Sequence, residues 1–289
     1  MADSYRTLGV PPDSLERGGV GLRWRWIEET TPVDPALNMA RDAALLQQML
    51  DVPGLTPLSL EGRGVGGEGF LAASGPRASV GDEILPAVRV YRWSTPAVTV
   101  GRLQNEDDVR AAFPGLTLVR RPTGGRAVLH GDDLTVSVAT REEWLPGTPG
   151  TVASSYQVIV TGLIDALRRH GIDAIAGDRR RLRPDSFPSR FGRGAEERGG
   201  VGSVDCFAAV ASCDIADAST GAKLVGSAQR RERGAILQQM SIHAGVIARI
   251  GSLSTFVDDL RDCLKSTLKV DCWEFVDFDS PVCYTVQAG

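Results

Sequence analysis

The run Arg120-Arg121-Pro122-Thr123-Gly124-Gly125-Arg126-Ala127-Val128-Leu129-His130 constrains the fold of this chain more than any other. Two arginines, a glycine pair and a short apolar stretch follow one another without a gap. A glycine pair carries no Cβ, so the backbone there is free to take positive φ and to let a ligand approach closely. Arginine supplies a planar fork of donors suited to a carboxylate or a phosphate. The run reads as a wall on which a small acyl or nucleotide ligand lies against bare backbone. Gly-Gly is also an ordinary turn signal, so the run gains force from a second one further along the chain.

That second run is Asp205-Cys206-Phe207 followed by Gly221-Ala222-Lys223-Leu224-Val225-Gly226-Ser227-Ala228-Gln229-Arg230-Arg231. Cys213 to Ala216 reads as a strand, Asp217 to Gly221 as a hairpin turn, and Lys223 to Ala228 as the return strand. The hairpin carries Lys223 back towards the Cys206 end of the sheet. An ammonium beside a thiol favours the thiolate, which is the nucleophilic form. The same ammonium suits a carbonyl oxygen that becomes an oxyanion. A free cysteine is more often a small buried hydrophobe, and a lysine on a hairpin strand is often merely solvated.

The remaining pattern predicts an α+β fold. Asp34-Pro35 ahead of residues 36–50 predicts a helix with Asp at its N-cap and Pro at its first position. Ile159, Leu163, Ala166 and Leu167 share one face of a helix over 152–170, with Gly171 closing it. A second amphipathic helix is expected over 254–268. Strands are expected at 22–27, at 87–93 paired with 97–101 around Ser94-Thr95-Pro96, and at 134–139. A hairpin around Gly124-Gly125 is expected to join 116–121 to 126–129.

Composition sets limits. The 289 residues are 42% hydrophobic and 24% charged, an ordinary globular balance. A net charge of −4 argues against general nucleic-acid binding. There is no apolar run long enough to span a bilayer, and no apolar h-region at the N-terminus, so neither a membrane span nor a secretory signal is expected. Five cysteines without CxxC or zinc spacing suit reduced thiols and a cytoplasmic location. Residues 1–21 read as a disordered lead. Residues 22–289 read as a single catalytic domain with flexible insertions near 51–82 and 186–203. Arg-Gly-Gly-Val-Gly at 17–21 and 198–202, with a near copy at 63–67, falls in the lead and the insertions and reads as exposed flexible sequence.

RRPTGGRAVLH, DCF and GAKLVGSAQRRERGAILQ together resemble the octanoyltransferase/lipoate–protein ligase branch of the biotin/lipoate protein ligase superfamily. WIEETTPVDPALNMARDAALL, from Trp26, resembles that family's opening strand and helix. VTVGRLQ, from Val98, resembles its next strand and active-site loop. The resemblance implies a biotin/lipoate protein ligase-like mixed sheet flanked by helices. It also implies an octanoyltransferase that moves an octanoyl group from acyl carrier protein to a lysine of a lipoyl domain or of the glycine-cleavage H protein. On that resemblance Cys206 carries the acyl thioester and Lys223 holds the acyl carbonyl. Arg120 and Arg121 sit at the pocket mouth, Gly124, Gly125 and Val128 line the acyl chain, and His130, Ser227, Ala228 and Gln229 complete the pocket. Adjacent residues on a strand point to opposite faces, so only one of the two arginines faces the site directly.

No metal and no nucleotide cofactor are implied for such a transferase. The alternatives are an ATP- and Mg-dependent lipoate–protein ligase, a lipoyl amidotransferase and a non-catalytic lipoyl-domain or acyl-binding module. With 21 residues after Leu268, the accessory domain that ligases usually carry is not expected. Six arginines in 178–193 are a candidate docking face for an acidic carrier protein. Two departures from the resemblance stand out. Residues 208–213 lack the expected proline and aromatics, and Gln239-Met240 replaces a common His-Gly.

Overall fold

Asp34 fixes where the first helix begins. Its carboxylate accepts the backbone N–H groups of Ala36 and Leu37 at 2.9 and 3.1 Å, and Pro35 stands in the first turn, where no backbone donor is required. Helix α1 then runs Pro35–Asp51. The computed structural model describes residues 22–52, 84–147, 150–177 and 213–278. The 1–21 lead, nearly all of the 51–82 insertion, the 186–203 insertion, the 178–193 arginines and Cys206-Phe207 lie outside the described residues.

Eight strands form one mixed sheet. They are β1 (Arg23–Glu28), β2 (Ala87–Tyr91), β6 (Leu134–Arg141), β7 (Ala174–Ala176), β8 (Ile215–Asp217), β9 (Lys223–Glu232), β10 (Ala235–Ile242) and β11 (Cys272–Phe275). Their order is β11-β1-β2-β6-β10-β9-β8-β7. β1 lies parallel to both β11 and β2, and the pairs from β2 to β7 are antiparallel. Three further strands, β3 (Ala97–Val100), β4 (Thr117–Arg120) and β5 (Val128–His130), form a small sheet in the order β4-β3-β5. The helices that follow α1 are α2 (Glu106–Ala112), α3 (Val152–Arg169), α4 (Ala244–Ile247) and α5 (Leu253–Leu268). The architecture is α+β, a mixed sheet flanked by helices. No helix among the described residues is long and apolar enough to cross a membrane.

Two expected hairpins are not formed. β2 pairs with β6, whereas β3 joins the small sheet, so the segments flanking Ser94-Thr95-Pro96 do not pair. β4 and β5 do not pair with each other either; both flank β3, β4 in parallel and β5 antiparallel. The Gly124-Gly125 segment therefore crosses over a strand instead of closing a tight turn. The β8–β9 hairpin is formed, closed by Asp217, whose carboxylate caps the backbone of Ser219 and Thr220 at 3.0 Å each.

The large sheet has two unlike faces, because successive side chains alternate. Val88, Val90, Val136, Val138, Met240 and Ile242 point to one side and bury Ile159, Leu163 and Leu167 of α3 with Phe256, Leu260 and Leu264 of α5. Each fully buried aliphatic or aromatic side chain there contributes about 1.5–3 kcal/mol. Gly162 permits the close approach of α3 to α5, since a Cβ there would meet Leu264 Cδ2 at 2.7 Å and Thr267 Oγ1 at 2.8 Å. The opposite face changes character along the strands. Ala87, Ala139 and Leu237 pack under Leu45, Leu46 and Met49 of α1. The next row of register partners is Arg89, Ser137, Gln239 and Ala228, and the row after that Tyr91, Thr135, Ser241 and Gly226. The small sheet roofs this last row.

Candidate functional site

The alternation of the small sheet decides what faces the large one. Thr99 pairs with Val128 and Ala97 with His130, which places these four side chains on one face. Val98, Val100 and Leu118 point the other way, into a small core with Val109 of α2. Between the sheets lies a cavity. Its lining includes Gly125, Val128 and His130 from the roof, Gly226, Ser227 and Ala228 from β9, and Gln239 and Ser241 from β10; Arg121, Thr99, Met39, Tyr91, Trp93 and Thr135 complete it. Gly125 is exposed and Ala228 half-buried, whereas Tyr91, Trp93 and Thr135 are buried, so the cavity deepens from the glycine run towards β2 and β6.

The two adjacent arginines do different work. Arg120 shares the outward face with its register partner Val100. Its Nη1 donates to the carbonyls of Gly101, Arg102 and Gln104 at 3.0, 3.3 and 3.2 Å, bracing the 101–105 loop. Arg121 is buried against the cavity. Its Nη2 donates to the carbonyls of Gly124 and Arg126, both at 2.6 Å, and its Nη1 to the carbonyl of Thr99 at 3.0 Å. The guanidinium thus folds the glycine run around itself, and Gly125 takes φ +88°. The two loops touch backbone to backbone, because a Cβ on Gly101 would collide with the Gly125 carbonyl oxygen.

His130 closes the deep end. Its ring stacks on Trp93 at 3.8 Å between centroids. Nδ1 lies 2.8 Å from Asp133 Oδ2 and Nε2 lies 2.9 Å from Thr99 Oγ1. A carboxylate only accepts, so Nδ1 carries a proton. Asp133 also accepts from Gly131 N and Ser241 Oγ at 2.8 Å each. Burial alone pushes the Asp133 carboxyl up, but His130, the Gly131 amide and Ser241 together hold it below its ordinary range. Trp93 Nε1 donates to Thr135 Oγ1 at 3.0 Å. These polar groups satisfy one another, leaving largely apolar surfaces towards the cavity.

Lys223 lies outside the lining. It opens β9 beside a register shift at Ile215 and Ala216, and its buried Nζ is 2.8 Å from Asp214 Oδ2. Asp214 Oδ1 accepts the Ser227 backbone N–H at 3.0 Å, so one carboxylate links the lysine to the cavity edge. Cys213 Sγ lies 3.6 Å from the Ser227 carbonyl oxygen. Tyr156 of α3 faces the same corner: burial pushes its hydroxyl well above the ordinary tyrosine range, and nearby Cys213 and Asp214 add to the shift. Gln229 points away, to Ser155 Oγ at 3.2 Å and Gln238 Oε1 at 2.9 Å. The structure therefore brings Arg121, Gly125, Val128, His130, Ser227 and Ala228 together. Arg120, Gly124, Lys223 and Gln229 stand around them. Trp93, Tyr91, Asp133 and Asp214 join the site without a local motif to announce them, although the expected β8–β9 hairpin places Asp214 near Lys223; Thr99 and Gln239 join it from the VTVGRLQ run and from the Gln239-Met240 departure.

The cavity is walled by a glycine run and roofed by a three-stranded sheet, with the buried Lys223 nearby. Residues 77–267 match the model of the lipoyl protein ligase A/B catalytic domain, and the chain belongs to that family. Among similar proteins, octanoyltransferase LipM of Kyrpidia tusciae is 41% identical over 197 residues, covering 65% of each chain. Octanoyltransferase LipM of Geobacillus kaustophilus is 34% identical over 223 residues, covering 76% of this chain and 64% of that one. The chain thus spans a little less than two thirds of the length of these relatives. Protein Ta0514 of T. acidophilum, described as a candidate lipoate protein ligase, shares the fold, with a TM-score of 0.50 at 20% identity over 88% of this chain and 89% of that one.

Proposed function

We propose that this chain is an octanoyltransferase of protein lipoylation, working through a cysteine thioester. The observation that carries the reading is the 41% identity to octanoyltransferase LipM over 197 residues, in a chain whose structure holds an apolar cavity flanked by the Lys223–Asp214 pair. The donor is an octanoyl thioester on acyl carrier protein. The Cys206 thiolate attacks the thioester carbonyl, and the electron pair moves to oxygen. Lys223, whose Nζ lies 2.8 Å from Asp214 Oδ2, steadies that oxyanion. The carbonyl re-forms, the C–S bond to the carrier breaks, and the carrier leaves as a thiol after taking up a proton. The octanoyl chain meanwhile occupies the cavity under Gly125 and Val128. The amine of a lysine on a lipoyl domain or the glycine-cleavage H protein then attacks the acyl-enzyme. The C–S bond to Cys206 breaks, the octanoyl amide forms, and the proton given up by the amine restores the Cys206 thiol. A thioester is a sufficiently activated acyl donor for amide formation, so neither nucleotide nor metal enters the scheme. Two half-reactions sharing one cysteine give ping-pong kinetics.

The test is intact mass spectrometry after incubation with octanoyl-acyl carrier protein in the absence of ATP. One added octanoyl group, absent from Cys206→Ser and discharged by a lipoyl domain, is the expected result. Amide formation that requires free octanoate and ATP, with Cys206→Ser as active as the parent, overturns it.

A further inference from the structure

Gln239 lines the cavity from β10, and its buried amide is committed in three directions. Nε2 donates to Asp42 Oδ2 at 2.6 Å and to Met39 Sδ at 3.6 Å, and Oε1 accepts from Thr123 Oγ1 at 2.6 Å. The orientation is forced. The Asp42 carboxylate only accepts, so the amide nitrogen faces it, the amide oxygen is left for Thr123, and the Thr123 hydroxyl donates. Asp42 is itself fixed from below by Arg89 Nη1 at 2.9 Å, Ser137 Oγ at 2.8 Å and Tyr91 Oη at 2.8 Å. Thr123 is fully buried, and its carbonyl accepts the Arg102 N–H at 2.9 Å. One line of hydrogen bonds therefore runs from α1 through β10 into the loop that carries Gly125, and on to the 101–105 loop.

We propose that Gln239 is a positioning residue that sets the glycine run over the acyl cavity, taking its own orientation from Asp42 and passing it to Thr123. The inference rests on the acyl-transfer reading of the cavity. The position demands a donor towards α1 and an acceptor towards Thr123. A neutral histidine offers one of each, leucine offers neither, and glutamate sets a second carboxylate against Asp42. The presence of Gln where the sequence resemblance leads one to expect His thus exchanges one donor–acceptor group for another.

The experiment compares Thr123→Val, Gln239→Leu and Gln239→His with the parent protein. Steady-state octanoyl transfer from the carrier protein gives kcat and KM. Calorimetry with an octyl-pantetheine thioether, which cannot be turned over, gives a Kd. Losing a partner for a buried polar group is expected to raise KM and Kd by about tenfold or more in Thr123→Val and Gln239→Leu, with kcat within about threefold of the parent. Gln239→His is expected to stay close to the parent in all three. Unchanged KM and Kd in the folded variants, a fall confined to kcat, or a histidine variant as impaired as the leucine one overturns the proposal. Should Gln239→Leu fail to fold, Thr123→Val and Gln239→His decide. A parent that binds the thioether but transfers no octanoyl group refutes the transferase reading, while the Kd comparison still judges Gln239. A parent that does not bind the thioether refutes both.

Discussion

The two faces of the large sheet are made by the same strands, residue by alternate residue, and they solve different problems. Under α3 and α5 the side chains are mostly valine, isoleucine, leucine, methionine, phenylalanine and tryptophan, held by non-directional contact. Under α1 the sheet presents Arg89, Ser137 and Gln239, each bonded to the single carboxylate of Asp42. An apolar face sets stability through volume and accepts small rearrangements. A buried polar face accepts few alternatives, because every displaced group leaves a partner unmet. The cavity and its glycine loop lie on the second face, where positions are specified more sharply.

Asp42→Ala should break this contrast most strongly. Arg89 keeps Glu29 and Asn38 as partners but loses its fully buried counter-charge. We expect a loss of about 3–5 kcal/mol in urea unfolding, together with impaired acyl transfer in the protein that remains folded. Leu163→Ala, at a fully buried position on the apolar face, should cost about 3 kcal/mol yet leave the activity per folded molecule unchanged. If both variants lose activity in proportion to stability, the faces do not differ in the way described. The smallest effect concerns pH. The folded-state pKa of Asp133 is lowered, so its contribution to stability is fully present above the unfolded value of about 4 and fades as pH falls through the folded value. Asp133→Asn should therefore narrow its stability deficit relative to the parent below about pH 4, read from urea midpoints across the acid limb. A deficit that stays constant with pH contradicts this.

Local chemistry was legible in the sequence where it is carried by neighbours. Asp34-Pro35 announced α1, Gly171 the end of α3, and Asp217 to Gly221 the turn into β9. The alternation rule separated Arg121 from Arg120, although which of the two turned inward was fixed only by pairing with Val100. Strand partners were less legible. The segments beside Ser94-Thr95-Pro96 and beside Gly124-Gly125 had the composition of hairpins, but β3 draws both β4 and β5 to itself, and period-two alternation says nothing about which strand lies next door. The polar face was hidden for the same reason. Asp42 and Gln239 stand 197 residues apart, and nothing near either one signals the other.

The pairing of β1 with β11 carries a consequence for the order of assembly. Arg23 finds its register partner at Cys272, and Trp24 finds Trp273, the two indoles meeting edge to face at 6.4 Å. Until those late residues leave the ribosome, β1 has one neighbour at most and offers an open parallel edge. Closing so long a loop is slow for entropic reasons. Between the synthesis of β1 and that of β11 the nascent chain carries an unfinished sheet, the period in which edge-to-edge association with other chains is most favourable and a chaperone has most to protect.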